Sequence, residues 1–298
     1  MSVAAPLETI TVNSKSPFDP QELATDRGKK VKNVKIKIWS NGVNDKLFVV
    51  IGPSSTPNME DEERLANLLS DEGYGVAVIY GYHSRKQGKK FSVTSSALAA
   101  DYIAAVAALS ERGYGMRYAV IGTSNGSVAA FSTGFRGVRD KLQGARLIVA
   151  GIALNAACYE DFNGKIFDPT MRWLLVSGEK DDSTPAEPCR KMAMNLSSGG
   201  VKVLHYVHPD GHHNFWVRKG RIKEGWGAEN KYIIPNCAVG LTDDLGQTMR
   251  VRKSGKLYNV NNKNRSKMLK DCIGVGHRMA VSPDGESSLL QEIRSFLE

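Results

Sequence analysis

The chain has 298 residues, enough for one large α/β domain or for a domain with an appendage. Apolar residues make up 41% and charged residues 24%, which implies a sizeable core and excludes global disorder; no apolar run reaches the roughly eighteen residues that would span a membrane. Against 31 Asp and Glu stand 40 Lys and Arg, a formal net charge of +9, which points to an acidic substrate, partner or surface.

The apolar pattern predicts alternating strands and helices. Residues 22–39 are polar, with Val34, Ile36 and Ile38 alternating, and predict an antiparallel edge strand. Lys46–Ile51 (KLFVVI) predicts a buried strand that ends in Gly52-Pro53-Ser54-Ser55. Glu60–Ser70 predicts a helix, with acidic residues in its first turn and Leu65, Leu68 and Leu69 on one face. Gly75–Tyr80 is the next strand, and Ala-rich Ser95–Arg112 a long helix. Then come strand Arg117–Ile121, helix Ser127–Phe135, strand Arg146–Leu154 and strand Arg172–Val176. Helix Ala186–Leu196, strand Val201–Val207 and a closing helix Ser287–Leu297 follow. Such alternation means a mostly parallel sheet covered by helices on both faces, in a single domain over 1–298. Residues 217–285 break the rhythm and predict an irregular basic insertion or extension.

Three strand ends carry chemistry. Gly122, Ser124 and Gly126 form G-x-S-x-G between an apolar strand and a small-residue helix, the setting of a nucleophile elbow. A serine hydroxyl needs a base within hydrogen-bond reach, and the base needs an orienting acid. After strand Arg172–Val176 come Asp181 and Asp182; after strand Val201–Val207 come His212 and His213. Ser, Asp and His thus follow in the chain order of a hydrolase triad. The backbone N–H of Asn125, at a helix start, can face a developing oxyanion.

The four cysteines, Cys158, Cys189, Cys237 and Cys272, lie in no C-x-x-C and no zinc-finger spacing. They are either four buried thiols or two local bridges, Cys158–Cys189 and Cys237–Cys272, in an oxidising compartment. His205, His208, His212 and His213 do not converge as metal ligands, so neither a metal nor a cofactor is expected. Trp216 and Trp226 flank the basic segment and are expected to pack it onto the core. The opening residues, Met-Ser-Val-Ala-Ala-Pro, have no signal-peptide pattern, which implies either a cytoplasmic protein or a mature form given a new Met.

These residues resemble the α/β-hydrolases, in particular the dienelactone hydrolase-like group, over roughly residues 45–298. Gly178, Asp181 and Pro185 are similar to the group's G-x-x-D-x-x-x-P, which implies Asp181 as the acid. His212, His213 and Phe215 are similar to its H-H-x-F, which implies His213 as the base. The stretch Tyr80–Arg85 (YGYHSR) looks like the segment after the second core strand; His83, Arg85 and His212 become pocket candidates. The turn at Gly52 stands where the group has a His-Gly turn, but no His precedes it, so Ser54 and Ser55 both remain as second oxyanion donor. Well-known dienelactone hydrolases carry Cys at the elbow; Ser124 implies a general carboxylic ester instead. Secreted or periplasmic relatives have cysteines placed like these four, which implies disulfides and that location.

The implied activity is a serine esterase acting on a small-molecule ester. The rivals are a peptidase of the same fold and a non-catalytic binding module that uses the basic surface. No nucleic-acid reading motif is present, so no nucleic-acid partner is expected. Residues 217–270 hold 13 Lys and Arg and 4 Asp and Glu, so the remainder has 40 − 13 = 27 basic and 31 − 4 = 27 acidic residues. The whole excess lies in the segment after the histidine pair, which implies an anionic substrate or a nearby anionic surface.

Overall fold

The computed structural model describes residues 6–41, 47–89, 92–219, 225–232, 236–260, 265–272 and 274–298. Its main sheet has eight strands: β1 (Glu8–Ser16), β2 (Lys29–Asn41), β3 (Phe48–Ile51), β4 (Gly75–Ile79), β5 (Tyr118–Thr123), β6 (Ile148–Leu154), β7 (Arg172–Gly178) and β8 (Lys202–His208). Their spatial order is β1-β2-β4-β3-β5-β6-β7-β8. From β4 to β8 every neighbouring pair is parallel, while β2 runs antiparallel to both β1 and β4.

The helices are α1 (Pro20–Ala24), α2 (Glu60–Asp71), α3 (Gly81–Ser84), α4 (Ser95–Glu111), α5 (Asn125–Thr133), α6 (Arg136–Arg139), α7 (Gln143–Arg146), α8 (Ala186–Ser198), α9 (Arg265–Cys272) and α10 (Gly285–Leu297). Strands β3, β4 and β5 are buried along their whole length, because a parallel sheet is covered on both faces. Side chains alternate between two cores. Val49, Ile51, Val76 and Val78 pack with Leu65 and Leu69 of α2 and Ile293 of α10. Phe48, Val50, Ala77 and Ile79 pack on the opposite face with Leu98 and Val106 of α4 and Phe131 of α5. Helix α4 starts on a cap, where Thr94 Oγ1 accepts from the Ala97 N–H at 3.1 Å.

The structure differs from the sequence reading in two places. Val34, Ile36 and Ile38 do lie on an antiparallel strand, β2, but β2 is not the edge. The edge is β1, whose Ile10 and Val12 pair with Ile36 and Val34. An edge strand is half solvated, so ETITVNSKS offers too few apolar residues to be read as one.

The second difference is the segment expected to be irregular. It carries β9 (Gly225–Tyr232), β10 (Cys237–Leu241), β11 (Gln247–Val251), β12 (Leu257–Asn259), α9 and β13 (Gly274–Met279). Strands β9 and β13 form an antiparallel ribbon, and β10, β11 and β12 a small antiparallel sheet. These strands have no long apolar runs because their core is small: Met249, Tyr258 and Met268 around the Cys237–Cys272 disulfide. Backbone bonds from Glu160 N–H to Val239 O (2.7 Å) and from Leu241 N–H to Asp161 O (2.9 Å) seat the small sheet on the main body. The second disulfide, Cys158–Cys189, ties the loop after β6 to α8. The side chain of Trp226 lies outside the described residues. No helix among the described residues is long and apolar enough to cross a membrane.

Candidate active site

Strand β5 ends at Thr123 and α5 begins at Asn125, leaving Ser124 alone in the turn. Its backbone has φ 53° and ψ −118°, a combination that costs energy for any residue with a Cβ. Neighbouring contacts hold it there. The Ser124 N–H donates to Leu154 O at 2.8 Å, and Ser124 O accepts from the Ser127 N–H at 2.9 Å. The flanking glycines are steric necessities: a Cβ on Gly122 would fall on the Gly126 carbonyl oxygen, and one on Gly126 would lie 2.5 Å from Pro53 O. The turn after β3 is therefore pressed against the elbow. Asn125 is the first residue of α5, and its side chain accepts from Ser95 Oγ at 3.0 Å.

Strands β7 and β8 bring Asp181 and His213 together at the same sheet edge. His213 Nδ1 lies 2.9 Å from Asp181 Oδ2. The Ser183 and Thr184 N–H groups donate to Asp181 Oδ1 at 2.9 and 2.8 Å. Thr184 Oγ1 lies 2.8 Å from Asp181 Oδ2 and 3.2 Å from His213 Nδ1. Burial works to raise the Asp181 pKa, but His213 and the Thr184 donors outweigh it and hold the carboxyl below its ordinary value. Among the described residues, no hydrogen bond joins Ser124 Oγ to the His213 imidazole, whose Nδ1 is engaged by Asp181.

Two buried groups build the turn after β3. The Gly52 N–H donates to Tyr102 Oη at 2.9 Å, and Tyr102 Oη in turn bonds Ile121 O. The Ser54 N–H donates to Glu62 Oε1 at 3.2 Å. Ser54 is thus already engaged, and Ser55 is left as the donor candidate on this turn. Glu62 is itself buried on the inner side of α2. Burial pushes its carboxyl up from 4.5 to about 8, against backbone hydrogen bonds that lower it.

No protein-family model matches the chain, and no curated protein matches it. Solved structures do. A Klebsiella pneumoniae protein assigned as a dienelactone hydrolase superposes with TM-score 0.50 at 15% identity, covering 70% of this chain and 88% of its own. A carboxylesterase from Lactobacillus plantarum superposes at 0.49 and 13% identity, covering 70% and 84%. An esterase from Pyrococcus furiosus gives 0.46 at 18%, covering 69% and 81%. The strand order and the first of these likenesses decide the architecture. The chain has the α/β-hydrolase fold.

On this hydrolase fold the remaining candidates separate. Asp182, the neighbour of Asp181, faces the other way and accepts the Arg278 N–H of β13 at 2.9 Å. The imidazole that meets Asp181 is that of His213, not His212, whose backbone carbonyl lies 3.5 Å from Asn155 Nδ2. Arg85 is no pocket residue: its guanidinium forms a two-pronged pair with Asp101, at 2.5 and 2.9 Å, and bonds Ser16 Oγ at 2.9 Å. A buried carboxylate on α4 captures it, and this could not be seen from YGYHSR alone. His83 is exposed beside Tyr80. His205 bonds Ser177 Oγ at 3.0 Å and His208 stacks on Phe215, so the four histidines do not converge. Among the described residues, no group of three or more His, Cys, Asp and Glu could hold a metal ion.

Several residues of the site escaped the sequence reading. His277 of β13 is buried with its ring centroid 5.4 Å from that of His213, and Met279 bridges to the His213 backbone. Strand β13, which follows the basic residues 217–270, therefore borders the histidine. Asn155, just past β6 with φ 43°, is fully buried and donates to Asp181 Oδ2 at 3.1 Å. A lone Asn after a buried strand was the one available signal, since Asn tolerates the left-handed region.

Proposed function

We propose that the protein is a serine hydrolase that cleaves carboxylic esters, with Ser124 as nucleophile, His213 as base and Asp181 as orienting acid. The observation that carries it is the Asp181–His213 hydrogen bond at the sheet edge where Ser124 is held at positive φ. His213 Nδ1–H donates to Asp181, which leaves Nε2 free to take the Ser124 proton. Ser124 Oγ attacks the carbonyl carbon, and the oxygen that becomes charged is met by the Asn125 and Ser55 N–H groups. The imidazolium returns the proton to the leaving alcohol. Water, deprotonated by His213, then cleaves the acyl-enzyme. The Klebsiella pneumoniae protein of like fold, assigned as a dienelactone hydrolase, supports the same reaction class.

The substrate is a small ester bearing an anionic group, a reading supported by the positive charge of residues 217–270, which run between His213 and the strand β13 that lies against it. Two disulfides support an oxidising compartment, periplasmic or extracellular. The test is hydrolysis of 4-nitrophenyl acetate and labelling by a fluorophosphonate, each compared between the parent and Ser124→Ala. Loss of both in the variant is expected; equal rates would sink the assignment.

A further inference from the structure

The Asp181 carboxylate has a partner on a strand that a triad does not require. Asn155 lies at the end of β6, between the serine strand β5 and the acid strand β7. Its amide is bonded at both ends: Nδ2 donates to Asp181 Oδ2 at 3.1 Å and lies 3.5 Å from His212 O, and Oδ1 accepts from Trp216 Nε1 at 3.1 Å. The indole N–H can only donate, so it fixes which end of the Asn155 amide carries oxygen and turns the NH2 group toward Asp181. The Asn155 carbonyl oxygen lies 3.1 Å from Thr184 Oγ1, which ties its backbone to the acid loop as well. All four side chains of this chain, Trp216, Asn155, Asp181 and His213, are more than nine-tenths buried. Trp216 stands three residues after His213, so the base loop returns through the indole to orient its own acid.

We propose that Asn155, oriented by Trp216, is a positioning residue that holds the Asp181 carboxylate in line with His213 Nδ1. Without the amide, Asp181 Oδ2 keeps only the imidazole and the Thr184 hydroxyl as side-chain donors. Thr184 has one proton to share between Asp181 and the Asn155 carbonyl. The carboxylate then gains freedom to rotate and becomes a stronger base. Two effects follow: a smaller fraction of turnovers begins from an aligned imidazole, and the imidazolium is stabilised, so the acid limb of the pH profile moves to higher pH. Because this role matters to turnover only if the triad assigned above is real, the experiment needs one readout that requires no substrate.

The variants are Asn155→Leu, Trp216→Phe and their combination, with native packing checked by near-ultraviolet circular dichroism. On 4-nitrophenyl acetate, Asn155→Leu should lower kcat about ten- to hundredfold, the worth of a hydrogen bond to a charged group, with KM within about twofold. Trp216→Phe should lower kcat less, and the double variant should fall no further than Asn155→Leu alone. The His213 titration, followed by NMR of its Cε1–H signal and assigned with His213→Gln, should move upward in Asn155→Leu and by less in Trp216→Phe. Additive losses in the double variant, or an unmoved His213 titration, would overturn the proposal. Should Asn155→Leu not fold, Trp216→Phe alone decides it: unchanged kcat and an unchanged acid limb overturn it. A parent that neither labels nor cleaves esters, yet shows the NMR shifts, would remove the hydrolase assignment and leave the positioning role standing.

Discussion

Asp182 accepts the backbone N–H of Arg278 at 2.9 Å, while Asp181 beside it takes His213. Two adjacent carboxylates at one strand end are thus divided between the histidine and the docking of β13. Their replacements should separate cleanly. Asp181→Asn should cost about three to four orders of magnitude in kcat, because it removes the charge that stabilises the imidazolium and permits the wrong tautomer. Asp182→Ala removes only a cap on β13, and should cost less than about tenfold, mostly in KM. Steady-state kinetics on one ester reads both; equal losses would show that the division is mistaken.

The split also shows what the sequence can carry. Ser124, Asp181 and His213 stood out as candidates because each follows a predicted strand, and the chain order alone places parallel strand ends on one sheet edge. The G-x-x-D-x-x-x-P spacing chose Asp181 over Asp182 without showing what Asp182 does instead, because Arg278 lies 96 residues away. Arg85 shows the same failure: its partner Asp101 sits in an Ala-rich helix where one carboxylate looks like a solvated face. Glu62 is the opposite error. The acidic first turn of α2 marked only the start of a helix, yet one of its four carboxylates points inward under the β3 turn.

Glu62 gives a pH prediction with a definite sign. Its pKa is raised from 4.5 to about 8 in the folded chain, so between these values the folded form keeps a proton that the unfolded form releases. Its contribution to stability is therefore complete below about pH 4.5 and declines as pH rises toward 8. Urea unfolding of the parent and Glu62→Gln at pH 5 and pH 8 should show the variant gaining relative to the parent at the higher pH. Activity should follow if the proposed Ser55 donor is correct, because ionised Glu62 places negative charge beneath the turn that carries it. Glu62→Gln should move the alkaline limb of kcat upward; a limb that stays in place would separate Glu62 from the turn's function.

The Cys237–Cys272 disulfide joins the chain just after β9 to the chain just before β13, closing the base of the ribbon that reaches His213. Its sequence separation is 35 residues, for which loop closure gives about 4 kcal/mol on the chain-entropy account. Replacing both cysteines by serine should lower the unfolding free energy by about 2–4 kcal/mol. It should also lower kcat under conditions where the protein remains folded, since β13 carries His277 and Met279 against the base. Removing Cys158–Cys189 should cost similar stability but leave the ribbon in place. Denaturant melts and kcat of the two double variants test this; identical effects on kcat would show that the ribbon does not depend on its closure.

The formal charge of +9 resides in residues 217–270, which begin four positions after His213. Arg218 and Lys219, at the start of that stretch, are exposed. If the positive field acts on substrates at the site mouth, it must act on charged esters and spare neutral ones. Arg218→Glu with Lys219→Glu should raise KM several-fold for a 4-nitrophenyl monoester of a dicarboxylic acid, and leave 4-nitrophenyl acetate within about twofold. Added salt should weaken the parent's preference for the anionic ester, since exposed charges are screened over about 10 Å at 0.1 M. The variant should show a flatter salt response. A parent whose two substrates respond alike to salt would place the acidic partner elsewhere on the basic segment and remove the anionic ester from the proposed function.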